Sequence, residues 1–216
     1  MRAAAALAAP FMPSRRPVPG WAIAAAGLSP ILLVGAWTVA GSLQPPSYSP
    51  VRQTMSALAG HAATDRWIVT GAVLLVGLCY IVTALGLTGL RTSARVVLAV
   101  AGVSGIGVAV SPEPVHGSTP QHVAWTVVGA AAMSIWPAFV ARRRLRQPLP
   151  LVLSLHASAT VTAVFLALLG WVLNETRGGS SLGLAERLTT TVQMMWPLVV
   201  ALALRHSQSS RQRWQQ

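Results

Sequence analysis

The chain has 216 residues, 53% of them hydrophobic and only 9% charged, with a net charge of +12 and a mean hydropathy of +0.58. A soluble domain carries roughly 25% charged residues, so an ordinary soluble fold is excluded in favour of a membrane protein. The arginines are dispersed among loops, which excludes a basic nucleic-acid-binding domain, and with a single cysteine, Cys79, and no lysine there is no intrachain disulfide, cysteine metal cluster or lysine Schiff base.

Residues 1–20 read as a cytoplasmic N-terminal segment. The run "MRAAAALAAPFMPSRRP" is too short, and too broken by Pro10 and Pro13, for a signal peptide. The first apolar span, Trp21–Leu43, fits one better, but its length and its internal Trp37 favour an uncleaved anchor. Five further spans follow at Trp67–Leu90, Val96–Val110, Val123–Ala141, Leu149–Leu173 and Leu184–Leu204. Most reach the roughly 20 residues that cross about 30 Å of hydrocarbon; the third is short. The expected fold is therefore all-α, a six-transmembrane-helix bundle over residues 21–204, with a cytoplasmic tail at 205–216.

Between the first two spans lies "QPPSYSPVRQTMSALAGHAATDRW", which cannot cross a membrane. Ser49 suits an N-cap, Pro50 a first helical turn and Gly60 a position just past a helix end. Val51, Met55 and Leu58 recur at helical spacing, so a short interfacial helix over about residues 50–59 is expected, its apolar face on the bundle or in the headgroup layer. In the third span Ala101, Gly105 and Ala109, with Gly102 beside them, form a small-residue stripe that lets another helix approach closely.

"MSIWPAFVA" (Met133–Ala141) and "QMMWPLVVA" (Gln193–Ala201) place Trp-Pro at matching points of the fourth and sixth spans. Each proline frees the carbonyl four residues earlier and is expected to bend its helix. Between the fourth and fifth spans "RRRLR" (Arg142–Arg146) suits cytoplasmic orientation and a secondary hold on anionic lipid. His156 lies inside the fifth span, about seven residues from its start, where an ionisable group marks a functional hypothesis or a hydrogen bond to a neighbouring helix. A bis-histidine haem would need a second histidine at similar depth, and none is present.

With the N-terminus inside, 12 of the 16 arginines fall on the inner side and 4 on the outer: Arg52, Arg66, Arg177 and Arg187. That asymmetry places both termini in the cytoplasm of a multi-pass protein of the cell membrane. All four carboxylates, Asp65, Glu113, Glu175 and Glu186, then lie at the outer face, where any carboxylate chemistry must work.

"PSYSPVRQTMSALAG", followed by "DRWIVTGAVLLVGLCYIVTALGL", "GSTPQH" and "GLAERLTTTVQMMWPLVVAL", resembles the bacterial membrane-protein family called domain of unknown function 998. The likeness covers roughly Trp21 to Leu204. It implies a six-helix integral membrane protein, common among actinobacteria, without an assigned reaction. It also implies attention to Tyr48, Ser49, Pro50, Ser56, His122, Glu186, Arg187 and Trp196.

The outer polar residues support two readings. In the first, the chain binds or moves a lipid or small apolar molecule, or serves as a membrane partner subunit. Arg52, Arg187 and Glu186 line an outer pocket, with Ser56, Tyr48, Trp196 and His156 as further ligand contacts, arginine being suited to phosphate. In the second, a small intramembrane enzyme uses Glu186, His122, Asp65 or Glu113 in acid/base or metal-assisted chemistry on a lipid or isoprenoid. Ser56 in "TMSAL" lacks a nucleophile-elbow context and reads as structural. Zinc ligands could be drawn from His61, His116 and His122 with Glu113 and Asp65, Glu113 or Glu186 activating a bound water, but His116-x5-His122 is not a helical pair and Pro120 intervenes, so no metal and no cofactor is expected. Asp65 and Glu186 also suit plain capping of helix starts. Substrate, transport direction and oligomeric state are open at this level, and the enzyme reading loses its site if His122, Glu186 and the 49–59 segment lie far apart and face bulk water.

Overall fold

The computed structural model describes residues 17–141 and 150–213. Seven α-helices follow in order: α1 Gly20–Ser42, α2 Met55–Ala59, α3 Trp67–Gly86, α4 Thr92–Ala109, α5 Pro120–Val140, α6 Leu155–Glu175 and α7 Leu182–Arg213. All but α2 contain a stretch long and apolar enough to cross a membrane, and no strand occurs among the described residues. The chain is thus an all-α, multi-pass membrane bundle. The third span, short by hydropathy, is helical for 18 residues because Thr92, Ser93, Ala94 and Arg95 extend it. The basic run Arg142–Arg146 and the first sixteen residues lie outside the described residues.

The six long helices close into a ring in chain order: α1 packs on α3, α3 on α4, α4 on α5, α5 on α6, α6 on α7, and α7 returns to α1. Lipid tails are as apolar as the side chains, so close packing and interhelical hydrogen bonds must hold such a ring. Gly77 and Gly102 show the first of these. A Cβ on Gly77 would stand 2.6 Å from the Gly102 carbonyl oxygen, and one on Gly102 2.5 Å from that of Gly77. The backbones of α3 and α4 therefore touch where the small-residue stripe predicts close approach, and Ala101 and Ala109 are buried beside it.

Interhelical hydrogen bonds run through the ring. Trp136 Nε1 of α5 donates to the Ala94 carbonyl of α4 at 2.8 Å, Gln193 Nε2 of α7 to Ser134 Oγ of α5 at 3.0 Å, and Thr189 Oγ1 of α7 to the Leu168 carbonyl of α6 at 3.3 Å. Arg95 closes α3 by donating from Nε to Ala84 O and from Nη2 to Leu85 O. Both α5 and α7 run on through Pro137 and Pro197. The two Trp-Pro sites differ in surroundings: Trp136 is fully buried and paired, whereas the Trp196 indole N–H is buried without a partner among the described residues.

One end of the ring, the capped end, is covered by residues 43–66. The segment is held at its root by Gln44, which donates to Ala40 O and Thr64 O and accepts from Thr64 N. Its helix is shorter than the periodicity predicts, five residues with Thr54 rather than Ser49 as N-cap. Residues 49–53 instead form a turn, with Ser49 O accepting from Arg52 N and Gln53 N and Gln53 Oε1 accepting from Ser49 N. The carbonyls of Pro50 and Gln53 turn to Arg187 of α7 rather than along a helix axis. The apolar face behaves as expected where helix exists: Met55 and Leu58 are buried, while Val51 is exposed.

Candidate functional site

At the capped end, α2, the α4–α5 loop, the start of α5 and the start of α7 converge. Thr119 caps α5 by accepting from His122 N at 3.2 Å, and Pro120 occupies the first turn, so His122 sits in that turn with its ring directed inward and 3% exposed. Its Nδ1 is 2.8 Å from Ser111 O. A carbonyl only accepts, so in the neutral ring Nδ1 carries the proton and Nε2 is left as an acceptor. Facing that nitrogen at 3.0 Å is Ser56 Oγ, whose hydroxyl therefore donates to it. Glu113 Oε1 lies 3.6 Å from the same Nε2, ready to balance charge if the ring gains a proton.

Glu186 and Arg187, in the first turns of α7, fasten α2 from the other side. Glu186 Oε2 accepts from Met55 N at 2.7 Å, so its carboxylate caps α2 rather than its own helix. Arg187 Nη1 donates to Pro50 O, Gln53 O and Gly183 O at 2.7, 2.8 and 2.9 Å, and Nη2 to the Tyr48 hydroxyl at 2.6 Å. Leu184 N adds a bond to Val51 O. Burial pushes the Tyr48 phenol above its ordinary range, with the Arg187 cation opposing; it stays neutral at physiological pH.

Arg187 is buried, yet no carboxylate lies within ion-pair distance of it among the described residues. Its Nε–H and second Nη2–H also take no acceptor there. Arg187 lines an open cleft of about 500 Å³, with Trp37, Thr38 and Gly41 of α1 and with Tyr48 and Pro50. A second cleft, of about 360 Å³, lies among Tyr48, Gln53, Ala57, Leu58, Glu113 and Val115.

The sequence-derived candidates divide accordingly. Ser56, His122 and Glu113 come together, and Tyr48, Glu186 and Arg187 form the adjoining clamp. Arg52 and Asp65 are exposed and make no ion pair or side-chain hydrogen bond among the described residues, so Arg52 does not line the cleft beside Arg187 as expected. Asp65 has a left-handed φ of 50° and serves as a turn residue through its carbonyl, which accepts from Ile68 N. His156 stands in the first turn of α6, exposed at the end opposite the cap, because the helix begins at Leu155 rather than at Leu149. Trp196 packs against the core further along α7, away from both clefts.

His61 and His116 are exposed, and no group of three His, Cys, Asp or Glu side chains suited to a metal occurs among the described residues. The metal-assisted alternative therefore lacks a ligand set there. Gly183 is a functional position not anticipated from sequence. A Cβ on it would meet Pro50 O at 2.5 Å and would also collide with Gln53 O and Arg187 Nη1, so only glycine admits the segment onto α7. Its signal was a glycine at the second position of a helix, where capping gives it no purpose.

No curated protein and no solved structure matches the chain. A family model described as protein of unknown function (DUF998) matches residues 23–203, a stretch that contains both clefts, the Ser56–His122 pair and the Glu186–Arg187 clamp. On that match the chain belongs to the DUF998 family.

Proposed function

We propose that the protein binds a lipid or other small amphiphile with an anionic head at the capped end. The supporting observation is Arg187: a buried arginine with unused donors that lines an open cleft, with no carboxylate within ion-pair distance among the described residues, the carboxyl of neighbouring Glu186 acting on it only through space. A buried cation is costly unless its charge and its N–H groups are met. Carbonyls of Pro50, Gln53 and Gly183 meet part of that need, and a phosphate or carboxylate head would meet the rest in the fork geometry arginine favours. Trp37 and Tyr48 supply aromatic walls of the kind that sit at a membrane–water boundary.

In this reading the capped end faces outward, because 12 of the 16 arginines fall at the opposite end or in the segments flanking it. The bound molecule then comes from the outer leaflet.

Native mass spectrometry of the purified chain, titrated with phosphatidylglycerol and with phosphatidylcholine, tests this. One phosphatidylglycerol is expected to bind in preference. Arg187→Gln should weaken that binding by about 10- to 100-fold, the worth of a charge-assisted hydrogen bond. Trp37→Ala, which leaves every Arg187 bond in place, should weaken it as well. Equal retention of both lipids by all three proteins would refute the reading.

A further inference from the structure

Beyond binding, and independent of it, we propose that Ser56 is a nucleophile activated by His122, so that the capped end carries out acyl transfer from a carboxylic ester presented at the membrane surface. Ser56 Oγ, His122 Nε2 and Ser111 O form one hydrogen-bonded relay at 3.0 and 2.8 Å. Because the carbonyl fixes the proton on Nδ1, the free lone pair of Nε2 points at the serine hydroxyl. That is the geometry a general base needs, with nucleophile and base in contact and a third group orienting the base. The pair is assembled across 66 residues of sequence from two elements. A serine serving only to pack would have no need of a base whose tautomer is set by a second contact.

The surroundings suit the reaction. His122 is 3% exposed, which shields its ring from bulk solvent, while Ser56 is half-buried and directly precedes Ala57, which lines the second cleft together with Gln53 and Glu113. Glu113, 3.6 Å from Nε2, stabilises the imidazolium that forms during transfer. In the first step Ser56 Oγ adds to the ester carbonyl carbon as its proton passes to His122 Nε2. The adduct collapses, the bond to the alcohol oxygen breaks, and that oxygen takes the proton from Nε2. Water then gives a proton to Nε2 and its oxygen to the acyl carbon; Ser56 departs with the proton, leaving a carboxylic acid.

The test uses the full-length protein in detergent and an alkyl fluorophosphonate. Ser56 Oγ displaces fluoride from phosphorus, and His122 takes the serine proton. Peptide mass mapping is expected to place the phosphonyl group on Ser56, with no adduct there in Ser56→Ala. His122→Gln should slow labelling by on the order of 100-fold or more, the usual contribution of a general base. If that variant does not fold, Ser56→Cys is the second arm. Its thiol should react with iodoacetamide at neutral pH at least tenfold faster than that of Ser118→Cys, an exposed loop position at the same end. Folded wild-type protein that acquires no phosphonyl group on Ser56 would overturn the proposal. So would labelling that does not change in a folded His122→Gln, or a Ser56→Cys thiol no faster than that of Ser118→Cys.

Discussion

The carboxylate of Glu186 accepts the backbone N–H of Met55 at 2.7 Å, so the last membrane helix caps a surface helix 131 residues earlier in the chain. This bond and the Arg187 bonds beside it make residues 48–59 part of the bundle rather than a loop above it. Replacing Glu186 by Ala leaves the Met55 N–H unmet in a half-buried place and should cost about 1–3 kcal/mol, whereas Glu186→Gln keeps an acceptor and should cost about 1 kcal/mol. Trypsin reads the difference: cleavage after the exposed Arg52 should accelerate strongly in Glu186→Ala and only slightly in Glu186→Gln.

Gly183 provides a second, steric check of the same junction. Gly183→Ala places a methyl against the carbonyls of Pro50 and Gln53, and the segment must lift or α7 must shift. Overpacking of this kind costs about 1–3 kcal/mol. Gly170→Ala, in a helix with open space around the new methyl, should be neutral or stabilising by about 0.5–1 kcal/mol. Thermal unfolding of the two variants should therefore move in opposite directions, or at least only Gly183→Ala should fall.

Within the membrane the close approach of α3 and α4 predicts that Gly102→Ala is destabilising although alanine is the better helix former. Its methyl would stand 2.5 Å from the Gly77 carbonyl, a backbone atom that cannot turn aside. A cost of about 1–3 kcal/mol is expected, against no loss for Gly35→Ala, which meets open space. Thermal melts in one detergent measure both.

Tyr48 links the clamp to the cleft. Tyr48→Phe removes the acceptor for Arg187 Nη2 and should destabilise by about 1.5–3 kcal/mol, as for other hydrogen bonds to charged groups. Burial raises the phenol above its ordinary range, so the folded protein holds the proton more tightly than the unfolded chain. The resulting stability is constant at neutral pH and declines as pH rises past about 10, the range where the unfolded phenol ionises first. The melting difference between wild type and Tyr48→Phe should accordingly be flat from pH 7 to 9 and shrink above 10.

The membrane helices were legible in the sequence because each is a local property, an apolar run of sufficient length between polar breaks. Helix α3 begins at Trp67 as hydropathy predicts, and the small residues of α4 meet α3 as their spacing predicts. The surface helix starts later than its local sequence predicts, for a non-local reason. Ser49 and Pro50 satisfy the local rules for a helix start, but Arg187, more than 130 residues away, draws off the Pro50 and Gln53 carbonyls. Thr54 then begins the helix instead. The same kind of distance hides the pairing rather than the residues: His122 and Ser56 are both candidates by sequence, but 66 residues separate them, and only the fold brings them into contact. Arg52 shows the converse, a residue whose charge and position look suitable but whose side chain faces solvent.

Photo-crosslinking in native membranes identifies the occupant of the Arg187 cleft. A benzophenone amino acid at Thr38, in the cleft wall, can be compared with one at Leu166, on the exposed apolar side of α6. Mass analysis of the adducts should show one anionic, phosphate- or carboxylate-bearing amphiphile enriched at position 38 over position 166, and lost with Arg187→Gln. Adducts at position 38 that match the bulk lipid mixture at position 166, and that do not change with Arg187→Gln, would show that the cleft holds no selected amphiphile.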